Sequence, residues 1–209
     1  MRRRGFLAAA LAAALAACSR KAKLAALPAG ASVLALGDSI TFGTGAPPQA
    51  SYPSVLAALT GWNVVNGGVP GDTSAAALAR LPELLQQHAP ALVLVSIGGN
   101  DFLRRVPPDS TRANIRGICK ASRDAGAQVL LVGIPEASAL AAATRSLGDH
   151  AMYGELSGEL ELPLHAGGWS KVLSDPALRS DPIHANAQGY EAFASGLARR
   201  LRELGLLAA

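Results

Sequence analysis

Short runs of apolar residues, each stopped by a glycine-bearing polar turn, constrain this chain more than any other feature. "SVLAL" (32–36) ends at Gly37, and "WNVVN" (62–66) runs into "GGVPGDTS". "ALVLVSI" (91–97) is the longest run and stops at Gly98 and Gly99. "QVLLVG" (128–133) follows, and "ELPLH" (161–165) is a shorter, more polar fifth. Such runs, apolar at successive positions, suit strands covered on both faces, as in a parallel sheet. Helical patterns lie between them: one around Pro53 to Thr60, one carrying Leu78, Leu81, Leu84 and Leu85, and one from about Ser110 to Ala125. Pro82 is expected to split the second into two pieces, since proline fits a first turn better than a helix interior. The last pattern, from about Asn186 to Leu204, places Tyr190, Phe193, Leu197, Leu201 and Leu204 on one stripe. Segment 135–160 reads as part loop and part helix. Repeated β-α-β order implies right-handed crossovers and a three-layer α/β/α sandwich. One domain, 31–209, holds it all.

The first 30 residues form a separate unit. "MRRRGFLAAALAAALAAC" has a basic start and an apolar run from Phe6 to Ala17, too short to span a bilayer. It reads as a secretory signal peptide over 1–17. Leu15-Ala16-Ala17-Cys18 resembles the bacterial lipoprotein signal, which implies cleavage before Cys18, lipidation of that cysteine and a membrane anchor. Arg3-Arg4-Gly5-Phe6-Leu7 also resembles a twin-arginine export motif. Residues 18–30 then form a tether, with Arg20, Lys21 and Lys23 near anionic headgroups. The expected location is the periplasmic or outer face of a membrane. Removing Arg2, Arg3 and Arg4 from 19 basic residues leaves 16 against 15 acidic ones, so the mature charge is about +1. That balance gives no support to a nucleic-acid surface. Cys119 is left as a small apolar filler on a helix.

Ligands of open α/β sheets bind beyond the carboxyl ends of the strands, and four motifs fall there. "GDSITFG" places Ser39 on the turn leaving the first strand, where a base would make it a nucleophile. It is neither the G-x-S-x-G elbow nor a phosphate loop. In "NGGVPGDTS", Gly71 frees a backbone N–H for close approach, and Asp72 or Thr73 can cap the next helix. In "IGGND", two glycines project Asn100, whose amide can donate to a developing oxyanion. In "SDPIHANAQGY", Pro182 keeps Asp181 out of the helical region. The carboxylate can then hold one imidazole nitrogen of His184 and leave the other for Ser39. Asn186 caps the last helix. Each motif taken alone has an ordinary structural explanation. Together they supply a nucleophile, a base, an orienting acid and three oxyanion donors, namely the Ser39 and Gly71 N–H groups and the Asn100 amide.

These four blocks resemble the SGNH hydrolase superfamily, also called GDSL-like lipases, nearest its bacterial periplasmic branch of thioesterases, lysophospholipases and arylesterases. The resemblance covers 32–133 and 178–204. It implies a flavodoxin-like five-stranded sheet in the order 2-1-3-4-5, no metal or other cofactor, and a small acyl ester or thioester substrate. The segment 134–177 departs from the branch, where it helps line the acyl pocket. Two other readings stay open: a metal-dependent phosphoesterase using Asp38, Asp72, Asn100 and His184, and a non-catalytic binding lipoprotein. Arg104 and Arg105 border the expected site, and Trp169 and Tyr153 suit either an acyl groove or the core. Asp101 suits a brace for its own loop, and His88 a helix terminus.

Overall fold

The computed structural model describes residues 24–136 and 147–208. The expected signal peptide, Cys18 and the start of the expected tether lie outside them. Five parallel strands form one sheet: β1 (Ser32–Gly37), β2 (Asn63–Gly68), β3 (Leu92–Ser96), β4 (Gln128–Val132) and β5 (Leu164–His165). Their order is β2-β1-β3-β4-β5, as the resemblance implied. The helices in chain order are α1 (Ser39–Phe42), α2 (Tyr52–Thr60), α3 (Ser74–His88), α4 (Gly99–Leu103), α5 (Pro108–Asp124), α6 (Met152–Leu160), α7 (Gly168–Ser174) and α8 (Ala187–Glu203). Helices α2, α7 and α8 pack together, while α3, α5 and α6 form a second group. Right-handed crossovers place these groups on opposite faces of the sheet.

The central strands are buried throughout: Leu92 to Val95 of β3, Val33 to Leu36 of β1 and Leu130 to Val132 of β4 are inaccessible. Each Val or Leu side chain among them contributes about 1.5–3 kcal/mol relative to exposure. The polar fifth run yields only two strand residues. β2 continues through Gly67 and Gly68, two residues beyond the expected run. One expectation fails. Pro82 does not split its helix, because α3 is continuous from Ser74 to His88. Pro82 lies on the exposed side of α3, where water can serve the carbonyl that loses its N–H partner.

Few aromatics are available, and four of them gather on one face. Trp169 stacks on Phe193 at 3.7 Å between ring centroids, and Tyr52 meets Phe193 edge-on at 4.9 Å. Tyr190 meets Trp169 edge-on at 5.9 Å. This cluster joins α2, α7 and α8. Two hydroxyls tie it to the turn that follows β1: Tyr190 Oη donates to Thr44 O at 2.7 Å, and Tyr52 Oη lies 3.4 Å from Thr41 Oγ1. Trp169 Nε1 donates to Ser96 Oγ at 3.1 Å. Trp169 and Tyr153 are fully buried core residues.

Glycines at the strand ends admit close backbone approach. A Cβ on Gly68 would strike the backbone of Phe42, so α1 rests directly on the end of β2. A Cβ on Gly37 would collide with Thr41 Oγ1 and the Ser96 carbonyl. Gly37→Ala is therefore expected to cost about 1–3 kcal/mol. Urea unfolding checks this, and unchanged stability would mean the turn can open.

Candidate active site

In this strand order the chain leaves β1 toward β2 on one side and returns to β3 on the other. The crevice opens at that reversal, beyond the carboxyl ends of β1 and β3. Ser39 is the first residue after the β1 turn. Asp38 caps the single-turn helix α1, its Oδ1 accepting from Ile40 N at 3.1 Å. Gly43, at φ 103°, ends that turn in the left-handed region.

The opposing side chain comes from the loop before α8. Asp181 Oδ1 accepts from the Ile183 and His184 N–H groups, both at 2.8 Å. Its Oδ2 lies 2.7 Å from His184 Nδ1. The loop is closed by Ser180 N donating to His184 O and by a bridge between Arg179 and Ala185. Asn186 caps α8 by accepting from Gly189 N at 3.0 Å, and it donates back to Ala177 O. His184 Nε2 then lies 2.9 Å from Ser39 Oγ. Ser39, His184 and Asp181 thus form one hydrogen-bonded chain.

The expected oxyanion donors come from the serine turn itself and from two other turns. Gly71 has φ 84°, which glycine adopts without strain. Among the described residues, neither the Ser39 N–H nor the Gly71 N–H has a protein acceptor. Asn100, in the first turn of α4, donates from Nδ2 to Asp72 O at 2.9 Å. The same nitrogen lies 3.4 Å from Asp38 Oδ2, a contact long enough for a better acceptor to displace.

Three residues brace these turns, and of them only Arg80 went unmarked in the sequence. Arg80, on α3, donates from Nε to Asp72 Oδ2 at 2.7 Å and from Nη2 to Gly37 O at 2.9 Å. It links the serine turn to the Gly71 turn, and their separation in sequence hides the link. Asp101 is buried and accepts from Ser74 N, Ser74 Oγ and Thr111 Oγ1, so its carboxylate joins α4 to α3 and α5. Arg104 Nη2 donates to Gly71 O at 2.9 Å, fixing that peptide. Thr73, not Asp72, caps α3. Ser32 Oγ donates to the carbonyl of His88, at the end of α3. His150 stacks on Phe102 at 4.7 Å, and His165 lies on β5; neither joins the chain of three.

Two carboxyls are shifted in opposite directions. Partial burial tends to raise Asp181, but the hydrogen bonds from His184 and the two N–H groups outweigh it and hold it below the usual aspartate range. Asp38 is only 3% exposed, and burial pushes it up to about 7 against the lowering effect of the Ile40 N–H and His184. Among the described residues, no group of three or more His, Cys, Asp or Glu side chains is placed to hold a metal ion.

A serine, an imidazole and a carboxylate in line, beside open N–H donors at the carboxyl pole of this sheet, define a serine hydrolase with an α/β/α fold. Comparison with known proteins gives the family. Residues 35–192 match the GDSL-like Lipase/Acylhydrolase family, and the chain belongs to it. It is 35% identical over 177 residues to "Thioesterase 1/protease 1/lysophospholipase L1" of Escherichia coli (strain K12), covering 82% of this chain and 84% of that protein. The crystal structure of TesA superimposes with a TM-score of 0.72 at 30% identity, over 83% of this chain and 99% of that one. The SGNH-hydrolase family esterase AlinE4 gives 0.64 at 27% identity, over 85% and 98%.

The Asp38 shift has a consequence for stability. Between its unfolded value near 4 and about 7, the folded protein holds a proton that the unfolded chain has lost. The stability it contributes is therefore full below about pH 4 and lost as pH rises through 7. Asp38→Asn removes this loss. Relative to the parent, the variant is expected to gain up to about 1.4 kcal/mol per pH unit across that window. Urea unfolding from pH 4 to 8 checks this, and parallel profiles would refute the buried-carboxyl assignment.

Proposed function

We propose that this chain is an exported, lipid-anchored hydrolase of small acyl esters and thioesters that works through an acyl-enzyme on Ser39. One observation carries the reading: the 2.9 Å contact of Ser39 Oγ with His184 Nε2, continued at 2.7 Å from His184 Nδ1 to Asp181. His184 takes the Ser39 proton as Oγ attacks the carbonyl carbon. Asp181 holds the imidazole tautomer and steadies the imidazolium. The Ser39 and Gly71 N–H groups and the Asn100 amide stabilise the oxyanion. As it collapses, His184 gives its proton to the leaving alcohol or thiol. Water then repeats both steps on the acyl-enzyme and releases the acid.

The relatives support the ester and thioester range, being named a thioesterase and lysophospholipase, an arylesterase of Vibrio mimicus and an esterase of Pseudomonas aeruginosa. Anchoring through Cys18 and export to the periplasmic or outer face of a membrane rest on the leader and its lipoprotein-like end.

Ser39→Ala is expected to abolish turnover of aryl esters and block labelling by a fluorophosphonate, with melting temperature nearly unchanged. A wild-type chain that resists labelling but loses activity to a chelator would favour the metal-dependent reading. A folded chain inert across aryl, acyl and thioacyl esters would favour a binding lipoprotein. Asn100→Ala is expected to lower kcat by about 10²–10³-fold; full activity would remove Asn100 from the oxyanion site.

A further inference from the structure

The segment before β1 is clamped beneath the sheet. Ala25 N donates to Gln128 Oε1 at 2.7 Å, and Gln128 Nε2 donates to Ala25 O at 2.8 Å. Leu27 N donates to Leu206 O, and Gly30 N to Gly61 O, both at 2.8 Å. Gln128 opens β4, Gly61 ends α2 and Leu206 follows α8. All three mark the amino pole of the strands. Leu24 and Leu27 also pack against the core, so the chain is fixed there before it enters β1.

The site lies at the other pole, and its rim is apolar. Phe42, Val69, Leu103 and Ile183 are each 40–52% exposed. They stand within three residues of Ser39, Gly71, Asn100 and His184 respectively. Among the described residues, only Leu59 joins them as an exposed large apolar side chain, and it lies near the end of α2 at the amino pole. Large exposed apolar side chains gathered at one place mark a binding surface.

Reach decides what that surface can meet. Seven residue steps separate Cys18 from Ala25, and even fully extended they span at most about 25 Å. The rise along β1 from Ser32 to Gly37 alone is about 17 Å. A tether starting under the sheet must also clear a helical layer about 10 Å thick before turning toward the rim. Arg20, Lys21 and Lys23 favour keeping it against anionic headgroups.

We infer that anchor and catalytic mouth occupy opposite poles, so the anchored enzyme turns its apolar-rimmed site toward the aqueous compartment. It takes acyl esters and thioesters dispersed in water, not lipids of the leaflet that carries it. This rests on the reading of Cys18 as the anchor.

The test uses the full-length lipoprotein reconstituted in vesicles containing nitroxide-labelled lipid. A thiol-reactive fluorophore is placed at Leu103→Cys on the rim or at Asp124→Cys at the amino pole. Cys119 is buried, with its thiol pushed up to about 12 by that burial, and stays unlabelled. Quenching is expected to be at least threefold stronger at position 124 than at 103. Equal or reversed quenching overturns the proposal, as does a chain that fails to bind vesicles. Turnover of a water-soluble p-nitrophenyl ester should stay within twofold between vesicle-bound and detergent-dispersed enzyme; a tenfold drop on reconstitution would mean the mouth is covered, and overturns it too. Loss of that turnover in both forms would instead count against the hydrolase reading, leaving the quenching to decide the polarity.

Discussion

The contact between Ser39 and His184 joins side chains 145 residues apart, and everything else in the fold serves to make that distance short. Neither residue belongs to a long element. Ser39 opens a helix of four residues, and His184 sits on a loop. A hydrogen bond contributes only about 0.5–1.5 kcal/mol net, too little to draw two such loops together. The aromatic cluster does that work instead. Trp169, Phe193, Tyr52 and Tyr190 are buried, and they bind α8, which begins just past His184, to α2, which begins soon after the serine turn. The Tyr190 and Tyr52 hydroxyls then reach the serine turn itself. Apolar packing supplies the energy, and the polar tips of the same side chains supply the aim.

The opposite wall of the crevice is built on another principle. There the turns after β1, β2 and β3 meet through charge and backbone carbonyls. Arg80 holds the first two together, and Arg104, just past the end of α4, holds the Gly71 peptide. Asp101 ties the Asn100 turn to the start of α3. These bonds hold the peptides on either side of the site, and among the described residues the Ser39 and Gly71 N–H groups have no protein acceptor. Donors already ordered need no reorganisation when an oxyanion forms, which is the source of their catalytic value. Asp38 lies at the back of this wall, and a fixed negative charge there would oppose the oxyanion. Burial that favours its neutral form near pH 7 reduces the conflict.

Much of this was legible in the sequence, for reasons that differ by element. Continuous apolar runs announced the buried strands β1, β3 and β4, because a parallel sheet covered on both faces tolerates no alternation. Asp181, Pro182 and His184 were legible because their geometry is local: three residues decide it. Gly71 and Asn100 were legible as strand-end turns, though only their company gave them a role. Arg80 was not, because its meaning lies in two acceptors belonging to different turns. Asp72 read equally well as a helix cap, and only the folded chain shows Thr73 taking that place while Asp72 faces Arg80. Pro82 misled because its local cost is real, yet on an exposed helix face solvent offsets it. The polar run 161–165 supplied little strand: only Leu164 and His165 pair, with Leu131 and Val132 of β4.

The exposure of Asp181 says how the triad is poised. Its side chain is 45% accessible, against 15% for His184. A carboxylate so open to water exerts a weakened field, since solvent and salt screen it. Its pull on the imidazolium is correspondingly modest, and its value lies in direction. The same carboxylate accepts two backbone N–H groups and the imidazole nitrogen, so it cannot rotate without losing bonds on both oxygens. That arrangement fixes which nitrogen faces Ser39, and so which nitrogen serves as the base for water in the second half of the reaction.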